Sequence, residues 1–106
     1  MTFVYLVRCS DGTLYVGHAE NLAVREQMHN AGTGASYTAA RLPVRMVYAE
    51  QFESADRAIA REHQIKRWTA KKKEALVNGA SQKLKGYSAG AKNPPQFTWR
   101  DWLRQS

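Results

Sequence analysis

Five positions in this sequence carry side chains whose type and spacing could do chemistry: Tyr5, Tyr15, Arg25, His29 and Glu62. Glu62 is the clearest anomaly. A helix predicted from Ser54 to about Trp68 has an apolar stripe of Ala55, Ala58, Ile59 and Ile65. At about 100° per residue, Glu62 falls in the middle of that stripe, while Arg57, Arg61 and Arg67 lie elsewhere around the helix. A carboxylate facing the body of a small domain must be paired or bound to a metal. A structural ion pair with an arginine and a metal site are both open on this position alone. Arg25 and His29 are four residues apart on one face of an earlier helix, in line with Leu22. Two cationic-capable groups there make sense around a shared anion such as phosphate. The alternative for His29 is a satisfied, half-buried histidine. Tyr5 and Tyr15 read singly as core tyrosines with their hydroxyls satisfied. Taken with Gly17 beside them, they leave room for a ligand and two phenols pointing into it.

The elements that must position these residues are legible. Thr2–Cys9 and Thr13–His18 are rich in β-branched and aromatic residues and predict two strands joined by the turn Ser10-Asp11-Gly12. A three-residue loop with Gly12 in the left-handed region sets Cys9 opposite Thr13, Val7 opposite Tyr15 and Tyr5 opposite Gly17. Tyr5 and Tyr15 then share a sheet face, whereas a two-residue turn would send them to opposite faces. Asn21 caps a helix to about Asn30, residues 31–43 predict a loop, and Val44–Phe52 a third strand. Ser54 caps the second helix, with Asp56 in its first turn. Thr69 caps a third, ended by Asn78-Gly79. Residues 80–98 predict an irregular tail. Beyond it, Thr98 and Asp101 suggest a capped short helix with Trp99, Trp102 and Leu103 on one face.

With 106 residues the chain fits one domain, here divided into a body at 1–79 and a basic, aromatic extension at 80–106. The net charge is +7, and it is uneven: residues 57–106 hold 12 of the 16 basic residues. That excludes acidic, solvating proteins and makes nucleic acid the leading partner. Gly17, Lys66, Arg67, Lys71 and Lys72 are the candidates for nucleic-acid contact, although Lys71–Lys73 also reads as a solvated helix face. The single cysteine, Cys9, permits no internal disulfide and reads as a small buried hydrophobe. Phe3–Val7 is too short for a signal-peptide core, and no run reaches transmembrane length. The expectation is a soluble bacterial cytoplasmic protein, compatible with nucleoid association. Gly32-Thr33-Gly34 lacks the lysine of a phosphate loop, and His18, His29 and His63 lack zinc-ligand spacing.

Taken together, these residues resemble the GIY-YIG nuclease superfamily, in its small single-domain bacterial form. Phe3-Val4-Tyr5 and Tyr15-Val16-Gly17 resemble its two short motifs, Asn21 to Asn30 its arginine- and histidine-bearing helix, and Arg61 to Lys66 its glutamate segment. Gly34 to Thr38 and Pro43 to Glu50 are also similar, so the resemblance spans roughly residues 2–78. It implies an α+β domain, β-β-α-β-α-α, with a three-stranded, mainly antiparallel sheet. It also implies metal-dependent hydrolysis of phosphodiesters in DNA, with DNA repair as a setting and branched, nicked or single-stranded DNA as substrate. Glu62 would ligate Mg²⁺ or Mn²⁺, and Arg25 would bind the scissile phosphate. Tyr5 would take the proton from the attacking water, with a neighbour's help, and Tyr15 and His29 would position water, phosphate or Tyr5. The sequence departs from the family pattern at Phe3, at His18-Ala19 and at Val24. The rival readings are a non-catalytic nucleic-acid-binding module on the same fold, and a protein-interaction module using the C-terminal aromatics.

Overall fold

The first strand, β1 (Thr2–Arg8), is buried at six of its seven positions. A strand buried on both faces has to be central and covered twice. In the computed structural model, which describes residues 1–87 and their side chains through residue 79, it is. β1 lies between β2 (Leu14–Ala19) and β3 (Arg45–Phe52), in the order β2-β1-β3, and both pairings are antiparallel. Phe3, Tyr5, Val7 and Cys9 face one layer, packed with Leu22, Val44 and Met46. Val4 and Leu6 face the other, packed with Val16, Tyr48, Ala58, Ile65 and Val77.

The hairpin forms as the sequence dictates. Gly12 takes φ +88°, and the Asp11 carboxylate accepts from the Thr13 N–H at 3.0 Å. Tyr5 pairs with Gly17 and Val7 with Tyr15, so the three-residue loop sets the predicted register. Helix α1 (Leu22–Asn30) starts at Asn21, whose side chain accepts from Val24 N–H. It is also tied to the outer edge of the sheet. Asn30 donates to the Val44 carbonyl at 2.9 Å and accepts from its N–H at 2.8 Å, and Glu26 accepts from the Met46 N–H at 2.6 Å. These bonds satisfy backbone groups of an edge strand that would otherwise need water. They also fix how α1 presents Arg25 and His29.

Three expectations need correction. Residues 31–43 are not all loop: Ser36–Ala39 form a single helical turn, α2. One turn carries no apolar periodicity, so the pattern had nothing to show. Helix α3 (Ala55–Lys66), capped by Ser54 Oγ, buries Ala58, Glu62 and Ile65, but Ala55 in its first turn is exposed. Helix α4, capped by Thr69, does not stop at Asn78-Gly79 but runs Ala70–Tyr87. Gly79 lacks the positive φ of a terminating glycine, and good helix formers such as Ala80, Gln82 and Leu84 follow it. The helix expected near Trp99 and Trp102 lies outside the described residues.

A β-carbon at Gly79 would meet nothing within 4 Å. Gly79→Ala should therefore stabilise the protein by about 0.5–1 kcal/mol in denaturant titrations. A loss of stability would place Gly79 in a left-handed cap and end the helix there.

Candidate active site at the edge of the sheet

Gly17 is the opening through which the site is built. Its missing side chain leaves room for Tyr5 on the neighbouring strand: a β-carbon there would lie 2.5 Å from the Tyr5 hydroxyl. The Tyr5 ring therefore lies beneath the backbone of β2, the edge strand. Its hydroxyl reaches His29 Nε2 at 2.7 Å. On the other side of the imidazole, Nδ1 meets Thr38 Oγ1 at 2.8 Å, and Thr38 donates to the Ala35 carbonyl at 2.9 Å. His29 and Thr38 are almost wholly buried, at 1% and 0% exposure. Gly34 makes this contact possible too, because a β-carbon there would lie 2.3 Å from His29 Nδ1. Tyr15 sets its ring edge-on to His29 at 5.6 Å and stacks on Tyr37 at 5.9 Å.

Glu62 arrives from the opposite face of the sheet, on α3. Its Oε1 accepts from His18 Nδ1–H at 2.5 Å and its Oε2 from Lys66 Nζ at 2.9 Å. The arginine pairing that the sequence left open is not what forms, since both Glu62 oxygens are taken by His18 and Lys66, and Arg61 on the same helix forks onto Glu50. Burial works to raise the Glu62 carboxyl, but the bonds from Lys66 and His18 outweigh it and hold the carboxyl below the usual glutamate value. It is ionised at neutral pH. Burial dominates at Tyr5, raising the phenol well above its ordinary value although the Arg25 charge opposes this. Burial and then the Arg25 charge lower the His29 pKa, so the imidazole is neutral.

Tyr5, Tyr15, Gly17, Arg25, His29 and Glu62 line one open cavity of about 220 Å³ together with His18, Gly34 and Ala35. Arg25 is half-buried there and makes no side-chain hydrogen bond or ion pair with any described residue. Lys66 does not line the cavity but touches two residues that do, bonding to Glu62 at 2.9 Å and lying 5.9 Å from the centre of the Tyr15 ring. Arg67, Lys71 and Lys72 are exposed and do not line the cavity, and Lys72 lies over the Trp68 ring. Sequence reasoning missed His18 and Thr38. His18 was visible only as a departure beside Gly17, and Thr38 is one hydroxyl in a polar loop.

The donor set narrows the metal chemistry. Among the described residues no three His, Cys, Asp or Glu side chains come together, so no closed zinc cage is built there. One ionised carboxylate at an open cavity fits a hard divalent cation that keeps waters and takes phosphate oxygens, as Mg²⁺ does.

Residues 1–75 match the family model described as the GIY-YIG catalytic domain. UPF0213 proteins of Staphylococcus aureus strains Mu3 and MW2 are each 48% identical to the chain over 75 residues, covering 71% of this chain and 92% of theirs. The solution structure of a UPF0213 protein from Bacillus halodurans is 37% identical. It covers 74% of this chain and 84% of its own, with a TM-score of 0.48.

Two outcomes test the geometry. Gly17→Ala should cost about 1–3 kcal/mol in thermal or denaturant unfolding, because a rigid buried ring must move. A neutral cost would mean that Tyr5 does not lie under β2. Because His29 is harder to protonate when folded than when unfolded, stability is complete above about pH 6.5. It then falls as pH drops toward the lowered folded pKa. His29→Gln should flatten that part of the stability profile, and an unchanged slope would assign it to another group.

Proposed function

The chain belongs to the GIY-YIG family, whose domain is that of a nuclease superfamily, and from that premise we propose that it hydrolyses phosphodiester bonds in DNA. The observation that carries this reading is the convergence of Tyr5, Arg25, His29 and Glu62 on one open cavity, from both faces of the sheet. Among the described residues Arg25 has no hydrogen-bonding or ion-pair partner to give up, and it would bind the scissile phosphate. Its fixed charge then meets the negative charge that develops in the transition state. Glu62 would hold Mg²⁺ or Mn²⁺, with phosphate and water oxygens in the other positions, and that ion would polarise the phosphoryl group. Lys66 and His18 keep the carboxylate ionised until then.

Tyr5 is a protonated phenol at neutral pH, so it cannot act as a ready-made base. It can relay. As the attacking water forms its bond to phosphorus, its proton passes to the Tyr5 oxygen while the Tyr5 proton passes to His29 Nε2, 2.7 Å away. The bond to the leaving oxygen breaks, and that oxygen takes a proton from solvent. Such positioned proton transfer contributes about 10²–10⁴ in rate. Tyr15 packs against His29 and limits its movement.

Gly17 at the cavity, Lys66 beside it, and Arg67, Lys71 and Lys72 beyond it, would guide the DNA backbone. A basic domain of this size offers little surface for reading bases, which favours selection by structure (branched, nicked or single-stranded DNA) over selection by sequence. The catalytic unit is assigned to residues 1–79. The extension at 80–106 then starts inside α4. The bonds that already satisfy Glu62 also fit a rival, a non-catalytic DNA-binding module in which Glu62 is purely structural.

Cleavage of a panel of labelled DNAs separates the two. Wild type should cut at least one substrate when Mg²⁺ or Mn²⁺ is added. Glu62→Ala should lose the metal-stimulated activity, and Arg25→Ala should lose about 10²–10³-fold. Equal cleavage by wild type and Glu62→Ala, or none by wild type across the panel, would refute the assignment.

A further inference from the structure

The relay requires a bare Nε2 on His29, and a neutral imidazole has only one bare nitrogen. Which nitrogen keeps the proton is set by the bond that the other one makes. Here that bond is to Thr38, a buried hydroxyl in α2 with two neighbours within reach. A hydroxyl has a single proton to give. Threonine in a helical turn characteristically gives it to the carbonyl three or four residues back, and Ala35 O lies at that position, 2.9 Å away. With its proton committed there, Thr38 Oγ1 can only accept from His29, so Nδ1 carries the hydrogen and Nε2 is left as a lone pair facing Tyr5.

We propose that Thr38 is a positioning residue for the reaction: by donating to Ala35 O it locks His29 in the Nδ1–H tautomer and keeps Nε2 open to the Tyr5 proton. The proposal rests on the nuclease reading for its consequence, but not for its geometry. If Thr38 turned its proton to Nδ1 instead, His29 would carry hydrogen on Nε2 and would donate to Tyr5. The relay would then have no acceptor. α2, the turn that the sequence pattern did not show, exists in this view to hold one oxygen 2.8 Å from one nitrogen. Gly34 belongs to the same device, since any side chain there would strike the Nδ1 side of the ring.

The test pairs a tautomer measurement with cleavage. Nitrogen-15 NMR of the three histidine rings, with His29 assigned by loss of its signals in His29→Gln, should show a protonated Nδ1 and a bare Nε2 in the wild type. Thr38→Val, close in shape but unable to accept, should move the proton to Nε2. It should also lower metal-stimulated cleavage about 10–100-fold, the usual cost of losing a group that orients a histidine. Thr38→Ser should restore both. A wild type with hydrogen on Nε2 overturns the proposal. So does a folded Thr38→Val that keeps hydrogen on Nδ1, or one that shifts the tautomer but cleaves like wild type. A purely structural Thr38 would lower the melting temperature without moving the tautomer. If Thr38→Val does not fold, the wild-type and Thr38→Ser spectra still decide, since both must show Nδ1–H. If no variant cleaves any DNA, the nuclease reading fails, while the tautomer lock stands or falls on the spectra.

Discussion

An imidazole almost wholly shielded from water must find a partner for each of its nitrogens within the protein, and much of this fold is arranged around that requirement. An unsatisfied polar atom at such a site would cost about 1–3 kcal/mol. His29 meets it with the Tyr5 hydroxyl on one side and the Thr38 hydroxyl on the other. Each partner imposes a condition in turn. Tyr5 must point under β2, which requires the three-residue hairpin register and a glycine at position 17. Thr38 must be brought back over α1, which requires the 31–43 segment to close with a helical turn and a glycine at position 34. α1 itself must not rotate, and Asn30 and Glu26 hold it by the backbone of β3. Side chains on β1, α1 and α2, with glycines at positions 17 and 34, thus serve one ring.

The second half of the site obeys a different constraint. Glu62 lies on α3, across the sheet from His29, so the two could meet only where the sheet ends. β2 is that edge, and Gly17 keeps it open. The carboxylate is kept charged by Lys66 and His18 in surroundings that would otherwise protonate it. In a chain of net charge +7, an acceptor with two cationic-capable donors is an available binding partner for a further cation only if the donors can yield. Both sit at the exposed side of Glu62, with side chains 46% and 41% accessible against its 8%, so they can swing away at little packing cost.

The Arg25 charge acts on both members of the relay. It favours the phenolate at Tyr5 and disfavours the imidazolium at His29. A phosphate bound at Arg25 would offset that charge at both groups, making His29 a better acceptor once substrate is present. Under the proposed reading the relay is therefore tuned by the substrate it serves.

By itself the sequence determined the local matters. Strand content, the Asn21, Ser54 and Thr69 caps, the Gly12 turn and the register of Tyr5 against Gly17 all follow from interactions within a few residues, and the structure has them as expected. The inward position of Glu62 was also legible, because helical periodicity places it among apolar neighbours. Its partners were not. Periodicity says which way a side chain points but not what waits there, so an arginine was an open partner where His18 and Lys66 stand. His18 faces away from Tyr5 on the pleat of β2, and only the folding of α3 across that face brings Glu62 to it. The continuation of α4 past Gly79 and the single turn at Thr38 were hidden for related reasons. A glycine's role depends on the φ its surroundings impose, and one buried hydroxyl leaves no pattern in a sequence. Tertiary structure alone decided which groups meet, because each meeting joins residues distant in the chain: Tyr5 with His29, His29 with Thr38, His18 with Glu62.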